Sequence, residues 1–197
     1  MNTTRQQIVE KTSALLERQG YHATGLNQIV AESETPRGSL YYYFPHGKEE
    51  LAAEAIQFNV QQIAEHTRRS LAAYADPIEA IYRYLMGVAD HVERGNCSAG
   101  APIAAVALET ACHSERLRAS CQSAYAAFQL PFEEKLLAGN FPAERVPALV
   151  LTIAAAWEGA MIRSRTERSA QPLRIVAEEI RSYLVCTAQI PIGFAGE

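Results

Sequence analysis

The chain has 197 residues, of which 48% are hydrophobic, and this composition excludes an intrinsically disordered protein because a sizeable core can be buried. The formal net charge of −4 excludes a broadly basic nucleic-acid-binding surface, so any DNA contact must come from a local patch of cations, hydroxyls and helix N-termini. The longest apolar run, residues 146–157, is short and interrupted, and the N-terminus lacks a signal peptide, so we expect a cytoplasmic protein outside the membrane.

Helical periodicity runs through almost the whole chain, and strand signals are nearly absent. The first helix is predicted over about residues 3–19, and Gly20 is expected to end it. Thr24 is predicted to cap a short second helix. Thr35 offers a capping hydroxyl for a third short helix, and Pro36 suits its first position because no amide hydrogen is needed there.

The rest of the chain also reads as helical. Asp76 begins the fifth helix as a cap, followed by a proline and a capping-box glutamate. The remaining helices are predicted at about residues 48–74, 77–94, 102–112, 115–138, 143–165 and 172–189. We therefore predict an all-α protein of about nine helices. It would have an N-terminal three-helix domain (1–47), a larger helical domain (48–190) and a loose tail (191–197).

The third helix carries the most informative pattern. At 100° per residue, Leu40 and Phe44 share one face, which must be buried. The opposite face begins with small residues and continues with phenolic hydroxyls, which can approach a DNA groove and donate to phosphates or base edges. The residues on or beside this outer face are Arg37, Gly38, Ser39, Tyr41, Tyr42 and Tyr43. The alternative is an aromatic packing cluster, but only one or two of the tyrosines fit beside the buried pair.

These segments resemble a known family. The run from Ile8 to Leu51, with GYHATGLNQIVAES, RGSLYYYF and HGKEEL, resembles the N-terminal domain of TetR/AcrR-family transcriptional regulators. Residues 97–112, with WEGAMIRSR at 157–165, resemble the LmrA/YxaF-like branch. The resemblance implies a helix-turn-helix that binds double-stranded operator DNA through a recognition helix of residues 36–42. The DNA-binding residues expected are Thr24, Thr35, Pro36, Arg37, Gly38, Ser39, Tyr41, Tyr42, Tyr43 and Lys48.

The turn before the third helix departs from the family pattern. Family members usually carry a glycine where this chain has Glu34. A left-handed conformation at a non-glycine residue costs about 1–2 kcal/mol. We therefore expect strain in this turn, together with a carboxylate close to the DNA backbone.

The larger domain is expected to bind an effector. The branch implies a homodimeric regulator, a repressor, that a small hydrophobic or aromatic ligand releases from DNA. Each candidate taken singly fits ordinary core packing better than a pocket wall, and a pocket needs several of them together with a few polar groups. The pocket candidates are Phe58, Tyr82, Met86, His91, Ile103, Gln122, Tyr125, Phe128, Trp157, Glu158 and Met161.

The last two helices are expected to form the dimer interface. Apolar residues keep a three-four spacing along the last helix, and small residues on the preceding helix allow close approach, as in a four-helix bundle. The alternative is that the two helices pack only within their own chain. The predicted interface residues are Ala155, Gly159, Leu173, Val176, Ile180, Leu184 and Thr187.

Other function classes find little support. No hydrolase, zinc-protease, Walker or dinucleotide-binding pattern occurs, and the five histidines lack ligand spacing, so we expect no enzyme, no cofactor and no metal site. Cys112 and Cys121 flank a predicted helix junction and could form a redox switch, although inert buried thiols explain them as well. A helical protein-interaction module without DNA binding remains the other alternative.

Overall fold

The computed structural model describes residues 3–97 and 102–188, and every regular element in these ranges is an α-helix. The helices are α1 (Thr4–Ala23), α2 (Leu26–Glu32), α3 (Arg37–Tyr43), α4 (Lys48–Ala72), α5 (Pro77–Arg94), α6 (Pro102–Thr110), α7 (Glu115–Ala138), α8 (Val146–Glu167) and α9 (Gln171–Ala188). The all-α fold class and the nine predicted helices are confirmed for the described residues. The predicted tail, 191–197, lies outside them.

The chain forms two compact units. The first contains α1 to α3, α4 up to Ile63, α6, and α7 up to Phe128. The second contains the rest of α4 and α7 together with α5, α8 and α9. The division therefore falls within α4 and α7 and differs from the predicted boundary at 47/48. That functional boundary stays a prediction.

The core of the first unit forms on the predicted faces. Ile8, Leu15 and Leu16 on α1 are buried, because residues seven or eight positions apart lie on the same face of a helix. α6 packs against α1 and contributes Ile103 and Val106 to the same core. α1, which also packs against α2 and α3, is therefore covered by a helix that begins about 80 residues further along the chain.

α1 is interrupted where the sequence predicts its end. Gly20 has φ 78° and ψ −176°, a backbone conformation that favours glycine, and one further helical turn follows up to Ala23. The prediction for Thr24 is wrong. Its hydroxyl donates to the carbonyl of Gly20 at 2.6 Å, and Gly25 takes the N-cap position of α2. The break at Gly20 leaves this carbonyl available, so the Thr24 hydroxyl turns back to α1.

The second unit is organised around amphipathic helices. α5 begins as predicted, because the Asp76 carboxylate accepts from the backbone N–H groups of Ile78 and Glu79 at 3.2 and 3.3 Å. Its buried stripe packs against α9, which also packs against α8. At the edge of the α5–α9 contact, the Arg174 guanidinium donates to Asp90 and Glu93 at 2.7 and 2.6 Å.

α8 is the most apolar long helix among the residues that the structure describes. The helix extends beyond the run 146–157 to 22 residues, and by length and composition alone it is long and apolar enough to cross a membrane. Its buried side chains include Leu149, Ile153 and Trp157. A core helix of a globular unit has the same composition, and α8 packs as such a helix in the second unit.

Candidate nucleic-acid interface

α3 presents the predicted outer face. Leu40 and Phe44 are fully buried, whereas Tyr42 is 79% and Tyr41 47% exposed. Gly38 is exposed, and a Cβ added there would meet nothing within 4 Å. The start of the helix is therefore narrow and its middle carries two accessible phenols. This is the arrangement required for a helix that enters a groove.

Pro36 lies one position earlier than predicted. Its ψ of 138° is non-helical, so Pro36 is the N-cap residue and Arg37 the first residue of α3. Arg37 is exposed, and among the described residues no carboxylate forms an ion pair with it. By contrast, Arg5 pairs with Glu54. Arg37 is therefore a cation on the outer face that is available to an anionic partner.

Tyr43 and Ser39 flank this face and are half-buried. Tyr43 packs against the core of the first unit and makes an edge-to-face contact with Tyr42, with ring centroids 5.0 Å apart. Such contacts restrict the rings in addition to burying area. Tyr43 therefore supports Tyr42 from the side.

Two of the predicted contact residues are wrong. Thr24 is fully buried with its hydroxyl bonded to Gly20, and Thr35 is 7% exposed with its hydroxyl oxygen 2.8 Å from that of Ser33. Both hydroxyls satisfy local groups within the turn connections, as short polar side chains commonly do. Neither side chain is available to a phosphate.

Lys48 begins α4, as predicted, and its ammonium group contacts an aromatic ring. Its Nζ lies 4.2 Å from the centroid of the Tyr21 ring, a cation–π contact. Partial burial lowers the pKa of the Lys48 ammonium, and the Glu109 carboxylate on α6 acts in the opposite direction. Burial, and then the nearby Glu49 carboxylate, raise the pKa of Tyr21. The Lys48 cation is thus placed beside the helix-turn-helix by Tyr21 and influenced by Glu109.

The strained turn is present. Glu34 has φ 53° between α2 and α3 and is exposed, which confirms the expected left-handed conformation. We expect Glu34→Gly to raise the free energy of unfolding by about 1 kcal/mol, because relief of strain exceeds the entropy that glycine adds to the unfolded chain. Loss of the carboxylate should also tighten binding to duplex DNA at low salt. Urea unfolding and fluorescence anisotropy measure the two effects.

Asn140→Gly is the matched control for this prediction. Asn140 also has a positive φ, 61°, but it lies in the second unit. We expect this variant to leave duplex binding unchanged. An unfolding free energy that falls in Glu34→Gly would contradict the assignment of strain to the turn.

Sequence reasoning missed Glu109 and Tyr21. The Glu109 carboxylate accepts from the backbone N–H of His22 at 2.6 Å, across 87 positions of sequence. A Cβ at Gly20 would collide with this carboxylate. Glycine at position 20 is thus favoured by the space that Glu109 occupies as well as by its φ. No local sequence pattern predicts a contact between residues so far apart in the chain.

The pocket candidates are divided between the units. Phe58, Ile103, Gln122, Tyr125 and Phe128 belong to the first unit, and Tyr82, Met86, His91, Trp157, Glu158 and Met161 to the second. Trp157 and Met161 are buried. The prediction is wrong for His91 and Gln122, which are exposed and so cannot supply polar groups inside an enclosed pocket. The hydroxyl of Tyr82 donates to Glu178 at 2.6 Å at the surface between α5 and α9.

The first unit contains a cavity too small for an effector. Its volume is about 10 Å³, enough for one water, whereas ligand pockets measure roughly 300–1,000 Å³. Ile103 is the pocket candidate that lines it. The side-chain oxygen of Asn59, another wall residue, is buried without a hydrogen-bond partner. The residues that bind the effector remain a prediction.

The predicted dimer interface needs a correction on α9. Leu173, Ile180, Leu184 and Thr187 are at most 5% exposed within the single chain, so they pack on its own helices and are inaccessible to a second subunit. Val176 is half-buried. Periodicity identified the apolar stripe correctly but could not tell which neighbour covers it.

The outward surface of the same two helices is also apolar. On α8, Ala155 and Gly159 are exposed as the interface prediction requires, and they share a face with Leu151 and Ile162, which are 62% and 48% exposed. We call these four residues the α8 stripe. On α9, Ile175 is 53% exposed. Large apolar side chains left in water on adjacent helices are typical of an interaction surface.

The two cysteines of the redox alternative have different environments. Cys112 is exposed, whereas Cys121 is buried, and burial raises the pKa of its thiol. A raised pKa suppresses the thiolate, the nucleophilic form of cysteine. The structure therefore gives the redox switch no support at Cys121.

Comparison with known proteins identifies both halves of the chain. The family model for "Bacterial regulatory proteins, tetR family" matches residues 8–55, and the model for "Transcriptional regulator LmrA/YxaF-like, C-terminal domain" matches residues 77–179. The HTH-type transcriptional regulator YxaF of Bacillus subtilis (strain 168) is 38% identical over 177 residues, which cover 90% of this chain and 93% of YxaF. The HTH-type transcriptional regulator LmrA of the same strain is 35% identical, covering 86% and 90%.

Solved structures agree in fold. The crystal structure of a TetR transcriptional regulator from Legionella pneumophila superposes with a TM-score of 0.80 at 17% identity, covering 93% of this chain and 98% of that one. At this identity the likeness shows the fold alone. It agrees with the arrangement of the described helices.

Proposed function

Because the chain belongs to the TetR family of bacterial regulatory proteins, in its LmrA/YxaF-like branch, we propose that it is a homodimeric repressor released from operator DNA by a small hydrophobic or aromatic effector. As a member of this family, the chain is a DNA-binding helix-turn-helix transcriptional regulator. The proposal adds the regulatory direction, the assembly and the kind of effector. We also propose that it works in the cytoplasm, without catalysis.

The observation that carries the proposal is the exposed face of α3. Leu40 and Phe44 fix the helix from behind, while Gly38 and Tyr42 lie open on the other side. The small residue lets the backbone approach a groove, and phenolic hydroxyls donate to phosphate oxygens. Arg37, at the start of the helix, is a donor suited to the O6 and N7 atoms of guanine.

A dimer is proposed from the size of the reading element. α3 has seven residues and offers few contacts, and helix-turn-helix proteins normally bind as dimers to two half-sites in successive turns of the duplex. The α8 stripe supplies an apolar surface for such an assembly, with Gly159 permitting close approach of a second helix. The interface proposed is therefore the outward face of α8 together with the exposed side of α9 that carries Ile175.

In vitro selection from a random duplex library tests the proposal. We expect the wild-type chain to enrich duplexes with dyad symmetry, because a twofold dimer presents two identical α3 helices. The centres of the half-sites should lie about 34–36 Å apart or a multiple of that distance. Enrichment of sequences without symmetry, or of none, would contradict the proposed homodimeric repressor.

A further inference from the structure

We propose that Glu109 of α6 is a positioning residue for DNA binding, which acts on the helix-turn-helix by capping the backbone of the turn before α2. The inference rests on the proposed function and adds a residue that positions the same surface. It concerns only residues of the first unit.

The break in α1 creates the need for a cap. At Gly20 the backbone leaves the helical conformation, so the regular helix is interrupted before the short turn Tyr21–Ala23. The N–H groups at the start of such a turn normally bond to a nearby side chain. Here the acceptor comes from another helix, because Glu109 Oε2 accepts from His22 N–H at 2.6 Å.

Gly20 leaves room for the contact between Glu109 and His22. A side chain at position 20 would occupy the space of the Glu109 carboxylate, so glycine is needed for the approach as well as for φ 78°. Thr24 extends the same arrangement, because its hydroxyl donates to the carbonyl of Gly20 at 2.6 Å. The segment that leads into α2 is therefore fixed by Glu109 on one side and by Thr24 on the other.

Glu109 also influences Lys48, the predicted phosphate-binding lysine at the start of α4. Lys48 lies over the ring of Tyr21, the residue between Gly20 and His22. The Glu109 carboxylate acts on the Lys48 ammonium through space. It competes with a DNA phosphate for this cation while holding the backbone beside it. The two effects have opposite signs, and suitable variants separate them.

Three variants make the test. Glu109→Ala removes the acceptor and the charge, and Glu109→Gln keeps an oxygen acceptor but removes the charge. Glu115→Gln is the control. It removes one carboxylate from the same unit, where Glu115 pairs locally with Arg118 on α7. Affinity for a duplex selected by the wild-type chain is measured by fluorescence anisotropy at two salt concentrations, alongside thermal unfolding and amide exchange at His22.

We expect Glu109→Ala to bind the selected duplex about 5- to 20-fold more weakly than the wild type, with faster exchange of the His22 amide. Glu109→Gln should restore slow exchange and bind at least as tightly as the wild type, with a gain of about 3-fold at low salt as one opposing charge disappears. Rescue by the glutamine distinguishes positioning from charge. Thermal unfolding shows that each variant is fully folded at the temperature of the binding measurement, which excludes a loss of folding as the cause.

Two results would overturn the inference. Equal affinity of Glu109→Ala, Glu109→Gln and the wild type would show that the cap does not position the helix-turn-helix. A shift of equal size in Glu115→Gln would show that net charge alone is responsible. If the wild-type chain selects no duplex, the proposed function fails, and the inference that rests on it fails as well.

Discussion

Replacement of Tyr42 by alanine is expected to weaken binding to every duplex, by roughly 100-fold in a dimer. The side chain is 79% exposed on α3, so its loss leaves the fold intact and removes one phosphate contact from each subunit. A hydrogen bond to a charged group contributes about 1.5 kcal/mol, which two subunits double. Fluorescence anisotropy with selected and unrelated duplexes at fixed salt measures the loss.

Arg37→Ala is expected to behave differently from Tyr42→Ala. A bidentate arginine contact discriminates against the wrong base by about 1–3 kcal/mol, so its loss should flatten the preference among single-base variants of the selected duplex. Tyr74→Ala is the control for Tyr42→Ala, because Tyr74 is an exposed tyrosine of the second unit. If Arg37→Ala and Tyr42→Ala lose affinity equally for all sequences, Arg37 does not read bases.

Gly159→Arg is expected to convert the dimer into monomers. A Cβ at Gly159 meets nothing within 4 Å in the single chain, so the substitution is tolerated there and even favours the helix. In a twofold interface the arginine appears on both subunits, and like charges in contact cost several kcal/mol. A cost of about 3 kcal/mol weakens the dimer by roughly 100-fold, which sedimentation velocity measures.

Gly87→Arg is the matched control for the dimer prediction. Gly87 is likewise exposed on a helix of the second unit, α5, and has the same open space around it. This variant should stay dimeric and keep its affinity for the selected duplex, whereas Gly159→Arg should lose both. A dimer that survives Gly159→Arg unchanged would exclude the α8 stripe as the interface.

Hydrophobic periodicity predicted the buried face of a helix correctly where that face depends only on the sequence of the helix itself. It placed Leu40 and Phe44 behind α3, and the glycine itself indicated the break at position 20. The left-handed turn at Glu34 followed from the glycine that the family carries there. These features depend on local geometry, which the sequence encodes directly.

The wrong predictions concern the contact partners of side chains. Apolar spacing predicts that the buried stripe of α9, which includes Leu173 and Ile180, contacts a second subunit, whereas α5 and α8 of the same chain cover that helix. The family resemblance predicts that Thr24 contacts a DNA phosphate, whereas its hydroxyl donates to the carbonyl of Gly20 within the chain. The Glu109 contact joins positions 87 apart. Such contacts depend on tertiary packing, and hydrophobic spacing carries no information about the partner.

Photo-cross-linking from position 42 tests DNA reading by α3 most directly. Tyr42 is replaced by p-benzoylphenylalanine, and in a second sample Tyr74 is replaced in the same way. Both samples are irradiated with the selected duplex under conditions where it is fully bound. An adduct with DNA from position 42 and none from position 74 is the expected result, since α3 would lie in the groove and Tyr74 belongs to the second unit. Bound duplex that forms no adduct with position 42 would contradict the central claim.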